Sequence, residues 1–550
     1  MIRTRLLALA AIALLLAACS KSGAPACSLD GGTVLAPTPD QTPSGTPSST
    51  WPKFRADQAN SGRTAVDITS NSGVGTLLFD GYCGANGTQV FPSQTCVEAD
   101  PNRHCTNQSA TCIGIGPVST TPIIGLQPSD EPPCGQPGEP GPQGIYVASS
   151  DGRVYVYCVG GLETHLSNSM QLNGAITGSP LLGADTVLFV PGSGSVVQFF
   201  NDGERKNTGT VNGFVAASPN IWDGNGKTPD GTIYVATLSG TFAAVCPNGA
   251  QRFPALTFPS SQSSAAIIQY PTPTPLSEHS PPSNEVNPII IAGGVNGQVR
   301  AFNVRGRQYW SFLASANIAA AILIDQATDL FYVADTGGGV SAANLINGQR
   351  DPNFSFAPPV DERPASFTAS PALGNDMAPR PKLYVAAQSL VGQSPAEQSG
   401  VLYALDRATG AVCWTFTADG PITSSPAVGI GAGGDHDVIV FAADTVEVLN
   451  PAIGPVPTGG RVYAIPDRDD DGCDGAPRCA GEDDCPQWIF DAASIPPGHS
   501  YSFGASSPSI GPDGTVYIGR TGSRLGSGSE CPTAEPCVVN DGGALYAIGP

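Results

Sequence analysis

Eight times along the chain a glycine is followed by a short apolar run: Gly152 (GRVYVY), Gly194 (GSVVQF), Gly240 (GTFAAV), Gly297 (GQVRAF), Gly339 (GVSAAN), Gly400 (GVLYAL), Gly460 (GRVYAI) and Gly543 (GALYAI). Upstream lies another apolar run, for example GIYVASS at 144–150, TIYVATL at 232–238 and KLYVAAQ at 382–388, which places each glycine in a hairpin turn between two strands. Further upstream comes a small-residue segment, often Ser-Pro, around Pro122, Pro180, Pro219, Ala266, Ala320, Pro371, Pro426 and Pro508. Where the unit is best preserved it closes with an aromatic pair, Trp310 with Phe312, Trp414 with Phe416 and Trp488 with Phe490. Four strands, A to D, therefore recur. Four-stranded units repeated in this way predict a β-propeller, in which each sheet buries its faces only against its neighbours.

Composition agrees with an all-β chain. Its 67 Gly and 52 Pro in 550 residues supply turns, and 13% charged residues leave enough apolar sequence for a core. No stretch beyond the N-terminus shows an apolar stripe at helical spacing. The chain stops at GGALYAIGP, strand C of the eighth unit, so that blade lacks its outer strand. GVGTLLFDGY at 73–82 precedes the first strand A and carries Leu77 and Phe79 where other units carry Trp and Phe. We expect eight blades, the last closed by this N-terminal strand, with seven as the alternative count; closure would remove the ring's open sheet edges.

The units resemble the PQQ-like propeller repeat of the quinoprotein alcohol dehydrogenase-like superfamily over most of residues 51–550, and WPKFRADQANSGRT at 51–64 resembles that superfamily's opening segment. The resemblance implies that Trp310, Trp414 and Trp488 dock one blade against the next. The fifth unit has DPNFSFA in place of the aromatic signature. Quinoprotein dehydrogenases with this repeat typically carry an adjacent Cys-Cys pair, a calcium-bound quinone in the central channel and often a haem domain. Here there is no Cys-Cys and no CxxCH, and His104, His165, His279, His436 and His499 share no motif. No GxSxG, HExxH or P-loop is present. Catalytic residues are therefore not assigned, PQQ is not expected, and the chain is expected not to be an enzyme.

The N-terminus carries an address. Arg3 and Arg5 precede an apolar run from Leu6 to Leu16, too short to span a bilayer, and Leu16-Ala17-Ala18-Cys19 resembles a bacterial lipobox. That resemblance implies a signal peptide at 1–18, lipidation of Cys19, and, with Ser20 next, outer-membrane sorting. Residues 19–50, rich in Pro, Ser, Thr and Gly, read as a flexible tether before a propeller domain at 51–550. With Cys19 lipidated, fourteen of the fifteen cysteines remain, an even number suited to disulfides in an exported protein. Loss of Arg3 and Arg5 with the signal takes the formal net charge from −21 to −23, which opposes binding to nucleic acid.

In a propeller the A–B and C–D loops leave from one rim, and the B–C and D–A loops from the other. The insertions 83–117 and 521–541 share the second rim, with QSLVGQSPAEQSG in blade 6 and the blade 7 loop ending GPVPTGG. On the first rim lies DRDDDGCDGAPRCAGEDDC at 467–485. Asp467, Asp469 and Asp471 at positions 1, 3 and 5, then Gly472, form the first half of a calcium loop, since Ca²⁺ takes about six to eight oxygen ligands. Position 12 is Arg478, so closing ligands would come from Asp474, Glu482, Asp483 or Asp484, with Cys473, Cys479 and Cys485 shaping the loop. Structural Ca²⁺ and a solvated acidic loop both remain open. The functional expectation is a monomeric, lipid-anchored envelope propeller that binds a protein partner without catalysis, similar in plan to outer-membrane assembly lipoproteins. The alternative is a PQQ- and calcium-dependent periplasmic oxidoreductase.

Overall fold

The computed structural model describes residues 51–80, 117–126 and 143–549, except 161–162, 184–187, 200–204, 225–228, 270–287, 359–364, 390–398, 448–455, 468–472, 474–475, 478–485, 493–501, 527–536 and 541–542 and positions 52, 58, 247, 377, 435 and 522. The expected signal peptide, the tether and Cys19 lie outside the described residues.

The described chain forms an eight-bladed β-propeller of small, mainly antiparallel sheets with almost no helix. Blade 1 comprises Ile123–Leu126, Gln143–Ala148, Arg153–Gly160 and Glu163–Gln171; blade 2 comprises Leu181–Leu182, Leu188–Phe199 and Arg205–Phe214. Blade 3 runs through Asn220–Gly224, Pro229–Ala236, Thr241–Val245 and Leu256–Thr257, and blade 4 through Ala266–Gln269, Pro288–Gly293, Gln298–Phe302 and Gln308–Leu313. Blade 5 has Leu323–Asp325, Leu330–Ala334 and Val340–Asn344; blade 6 has Ala372–Leu373, Lys382–Ser389, Ser399–Asp406 and Val412–Ala418. Blade 7 has Ala427–Ile430, Asp437–Glu447, Val456–Asp467 and Trp488–Asp491. Blade 8 takes Ser509–Ile510, Val516–Arg520 and Ala544–Gly549 from the C-terminus and Val74–Asp80 from the N-terminus. That last strand pairs antiparallel with Ala544–Gly549, Leu77 opposite Tyr546 and Phe79 opposite Leu545, so the ring closes as the repeat count requires.

Three local departures have physical reasons. In blade 2 a single run, Leu188–Phe199, pairs at one end with strand A and at the other with strand D, and Gly194 between has φ 74°. In blade 5 the outer position is held only by isolated pairings, Val340 with Phe356 and Ala343 with Arg350, in a stretch whose Pro352 has no N–H to offer a ladder. Phe354 packs on Tyr332 at 5.3 Å, and Phe356 on Tyr403 of blade 6 at 5.1 Å. The third concerns the repeat glycines. Gly152, Gly240 and Gly297 turn the B–C hairpins with φ of 85°, 83° and 79°, and in blade 5 Gly338 rather than Gly339 does so. Gly400 and Gly460 instead lie inside strand C, opposite Gln388 and Asp444, because strands B and C of blades 6 and 7 run on past them. A side chain at Gly400 would collide with Ile422 and the Gly420 carbonyl, so the residue is still required, for close approach.

The core lies between blades rather than inside any one of them. Trp310 of blade 4 stacks on Phe331 of blade 5 at 5.1 Å and donates to the Leu345 carbonyl at 2.9 Å. Phe416 of blade 6 packs on Phe441 and Tyr463 of blade 7 at 6.0 and 5.5 Å. Trp488 and Phe490 of blade 7 lie against Gly73 and Gly75 beside the closing strand, and Phe490 also meets Tyr546 at 5.3 Å.

The recurrent Ser-Pro segments gain a role that spacing alone did not reveal. Each begins a strand A, and its hydroxyl accepts the backbone N–H of the equivalent residue in the preceding blade. Thr121 donates to Ser179 (2.9 Å), Ser179 to Ser218 (2.9 Å) and Ser218 to Ser264 (3.1 Å). Across the ring Ala321 donates to Ser370, Ser370 to Ser425 and Ser425 to Ser507, each at 2.9 Å. Ala321 offers no hydroxyl to blade 4, so the circuit is open there, and among the described residues Thr121 Oγ1 has no partner where blade 8 meets blade 1. Ser425→Ala should leave the buried Ser370 N–H unpaired and lower stability by about 1–3 kcal/mol, while Ala321→Ser should raise it by up to about 1 kcal/mol. Guanidinium unfolding measures both, and midpoints equal to the parent's would show the circuit to be energetically idle.

Candidate functional site

Strand A is the innermost strand of each blade, so its free edge faces the central channel. Residues 51–68 run along those edges, and 69–73 cross from them toward the outer strand of blade 8. Trp51 exchanges both backbone bonds with Ile124 of blade 1 (3.0 and 2.8 Å), and Lys53 bridges to Leu181 of blade 2. The chain turns over residues 55–62, where Arg55, Ala56 and Asn60 all have φ near 60°. It then returns as Arg63–Asp67, pairing parallel with strand A of blade 7. Three left-handed non-glycine residues so close together are strained, and persist only where surrounding bonds fix them.

Those bonds come from the ring. Arg55 donates to the Pro426 and Pro371 carbonyls (2.5 and 2.6 Å), and Asn60 Nδ2 to the Ile322 and Ala265 carbonyls (2.8 and 3.2 Å). Ile324 N–H donates to Ala59 O, Leu373 N–H to Ser61 O and Val428 N–H to Gly62 O, each at 2.9 Å. Asn71 reaches the Gly514 and Ile548 carbonyls of blade 8 (3.0 and 2.8 Å). Lys53 is wholly buried, its three ammonium donors used by Phe54 O, Asp57 O and Asn60 Oδ1 at 2.6–2.7 Å. Burial pushes its pKa down to about 7 against the pull of Asp57, and burial likewise takes Arg55 down to about 9.

Arg63 carries this segment to the A–B/C–D rim, where blades 5, 6 and 7 share an ionic network. Arg63 pairs with Asp376 (2.5 Å), which also holds Arg407 (2.5 Å), and Arg407 reaches Asp325 of blade 5 at 3.1 Å. Burial alone would raise Asp376, but the two guanidiniums hold it below the usual carboxylate range. Deeper in, Lys382 of blade 6 grips both oxygens of Asp467 of blade 7 at 2.9 and 2.8 Å. Trp414 Nε1 donates to Asp467 Oδ1 at 2.8 Å, and Tyr384 OH lies 2.6 Å from Asp467 Oδ2 and 2.8 Å from Asp437 Oδ2. Burial pushes Asp437 up to about 6, although Asn375 N–H and Tyr384 OH favour its anion. The Tyr384 hydroxyl is raised well above its ordinary value by burial and by the two carboxylates. On the opposite rim Asp444, also pushed up to about 6 by burial, accepts from Ser502 Oγ, Phe503 N–H and Gly504 N–H.

This network revises the reading of the acidic loop. Asp467 does not point into the loop as a first calcium ligand; both of its oxygens are taken by Lys382, Tyr384 and Trp414, and its side chain is 2% exposed. Cys473 is not a free ligand either, being joined by a disulfide to Cys413 on strand D of blade 6. Ala476–Pro477 lies parallel to that same strand, so the loop is stitched back across the blade 6–blade 7 groove. Asp469, Asp471, Asp474 and Glu482 lie outside the described residues, and a cation here would have to be held without Asp467 and Cys473. Among the described residues no three His, Cys, Asp or Glu side chains converge on a common point. Sequence reasoning missed Lys53, Arg55, Asn60, Lys382, Tyr384 and Asp437. The one visible signal was charge at the edge of an apolar run, Lys382 opening KLYVAA and Asp437 opening DVIVFA.

The residues of the channel do not fit a quinone: the space between strands A is crossed by residues 51–68, where Arg55 and Asn60 bond to the ring's carbonyls and Lys53, Asp57 and Ser61 bond within the segment. No family model matches the chain, and no curated protein matches it. Among solved structures, a europium-containing methanol dehydrogenase aligns over 91% of this chain and 98% of its own at 10% identity, with a TM-score of 0.51. BamB from Moraxella catarrhalis aligns over 77% of this chain and 95% of its own at 13% identity and a TM-score of 0.43. The computationally designed protein Ika8 aligns over 79% and 96% at 9% identity and a TM-score of 0.45. The likeness is one of fold, a PQQ-like propeller.

Proposed function

We propose that this chain is a non-catalytic propeller scaffold of the cell envelope, held by a lipid on Cys19 and presenting its rims to a protein partner. The observation that supports a scaffold over an oxidoreductase is the occupied channel: residues 51–68 bind the inner edges of strands A with backbone and side chains, where a quinone would otherwise be enclosed. Loops on a rigid ring are then the surfaces left for recognition. The anchor rests on the lipobox resemblance at Leu16–Cys19 and on the Pro- and Ser-rich stretch that follows.

Two measurements test the proposal. Calorimetric titration of the purified protein with PQQ and Ca²⁺ should give no saturable heat, and dye-linked oxidation of alcohols or sugars should stay at background; tight binding with turnover would establish the oxidoreductase instead. Cys19→Ala should abolish incorporation of labelled palmitate and release the protein from the membrane fraction. Retention of the label in that variant would overturn the anchor.

A further inference from the structure

The joint between blades 6 and 7 holds more proton-bearing groups than a salt bridge needs. Lys382 opens strand B of blade 6 and Asp467 ends strand C of blade 7, 85 residues further on, and both are buried. Tyr384, Asp437 and Trp414 surround the pair, and Tyr384, Trp414, Ile439, Ile465 and Cys413 belong to one apolar cluster. Away from water an ammonium facing a carboxylate is costly. Passing one proton across the pair, to give an amine and a carboxylic acid, removes both charges.

The distances are those of reacting groups. Lys382 Nζ lies 2.9 and 2.8 Å from the two oxygens of Asp467. Contact with both oxygens puts the nitrogen roughly 3 Å from the carbon between them, the separation of a near-attack pair. Oδ1 accepts the Trp414 N–H at 2.8 Å, at the atom where negative charge collects when nitrogen adds to that carbon. Oδ2 lies 2.6 Å from the Tyr384 hydroxyl, which is also 2.8 Å from Asp437 Oδ2. One hydroxyl hydrogen cannot serve two carboxylates, so a second proton must sit among these three oxygens. Burial, which pushes Asp437 up to about 6, makes that residue its holder, and the Asn375 N–H fixes the carboxyl at 3.1 and 3.0 Å. Lys53 is as deeply buried and 2.6 Å from Asn60 Oδ1, but there the Asp57 carboxylate is held by the Ser61 N–H and hydroxyl, and Asn60 Nδ2 is tied to ring carbonyls.

We propose that Lys382 and Asp467 condense to an intramolecular isopeptide bond that joins strand B of blade 6 covalently to strand C of blade 7. One ammonium proton passes to Asp467 Oδ2. The freed amine then adds to Cγ: the Nζ–Cγ bond forms, and the carbonyl electron pair moves onto Oδ1, held by the Trp414 N–H. Tyr384 protonates Oδ2 and is itself reprotonated by Asp437. The Cγ–Oδ2 bond breaks, and Oδ2 departs as water. The surplus proton on nitrogen returns to Asp437. In sum an ammonium and a carboxylate give an amide and one water, with no change of oxidation state or of net charge. Tyr384 and Trp414 touch the reacting atoms and are the catalytic residues, while Asp437 acts through Tyr384 as a positioning residue. The Cys413–Cys473 disulfide is then the second covalent tie across the same joint.

Peptide mass spectrometry of the full chain tests this directly. After reduction, alkylation and proteolysis, the peptides carrying Lys382 and Asp467 should appear as one branched species whose mass falls short of their sum by one water. Denatured and reduced, the parent should also run faster on a gel than Asp467→Ala, because the closed loop keeps it more compact. In protein harvested soon after synthesis, Asp437→Asn should show a linked fraction at least about tenfold below the parent's, and Asp437→Glu, which returns the carboxyl, should regain most of it. Circular dichroism checks that both variants are folded. Separate Lys382 and Asp467 peptides of full mass in the parent would overturn the proposal and leave the pair a salt bridge. A linked fraction in Asp437→Asn equal to the parent's would overturn the proton relay.

Discussion

A chain lacking residues 1–80 should fail to form a folded ring, whereas a chain lacking only residues 1–50 should unfold with the parent's midpoint. The longer deletion removes two things at once. Val74–Asp80 supplies the outer strand of blade 8, and without it the Ala544–Gly549 edge and the faces it covers stand open. Residues 51–73 supply the inner lining, bonded to strands A of blades 1, 2, 4, 5, 6 and 7 and to blade 8. Among the described residues, 51–72 make eighteen hydrogen bonds to the ring before the closing ladder is counted, and at a net worth of roughly 1 kcal/mol each their loss is at least as large as the 5–15 kcal/mol that holds a typical domain together. Loss of the cooperative transition is therefore expected in circular dichroism, with exposed apolar surface reported by dye binding. Because the lost contacts are largely main-chain, a synthetic peptide of residues 51–80 should restore the transition in trans by strand addition. A truncated chain that melts like the parent would mean that blades 1 to 8 close without the N-terminal segment.

That expectation separates what could be read in advance from what could not. The blades were legible because each strand B and C repeats a local pattern, apolar runs flanking a turn, and Leu77 and Phe79 advertised the closing strand by matching positions that other units fill with Trp and Phe. The channel segment was not legible. Arg55, Asn60 and Lys53 form no periodic pattern; the acceptors of Arg55 and Asn60, Pro371, Pro426, Ile322 and Ala265, lie hundreds of residues away, and Lys53 bonds within the segment itself. The Ser-Pro repeats were seen, but the partner of each serine belongs to the next blade, which no spacing within a unit discloses. Asp467 shows the opposite hazard. Its place in DRDDDG is a strong local signal, and a lysine 85 residues earlier overrides it. Gly400 and Gly460 shared the repeat's position without sharing its turn, because insertions moved the hairpin outward.

Lys382→Met should be the most damaging single substitution in the rim network, lowering stability by about 3–5 kcal/mol. Lys382 and Asp467 are 3% and 2% exposed, so the variant removes the ammonium from a carboxylate buried in the blade 6–blade 7 groove, beside the neutral donors Tyr384 and Trp414. The Lys382→Met/Asp467→Asn pair should recover much of the loss, because an amide at 467 keeps an oxygen for the Trp414 N–H and carries no charge. Acid should help the single variant for the same reason. A lone buried carboxylate has a folded-state pKa above its unfolded value, so its penalty is absent below the unfolded pKa and complete once pH has risen through the folded one. Asp437, pushed up to about 6, already gives the parent some gain in stability between neutral pH and pH 4. The gap between Lys382→Met and parent should therefore narrow on acidification, because a buried carboxylate deprived of its cation costs most where it must stay charged. Urea unfolding from pH 8 down to pH 5 measures that gap, and one that stays constant or widens would mean that Asp467 finds another cation when Lys382 is gone.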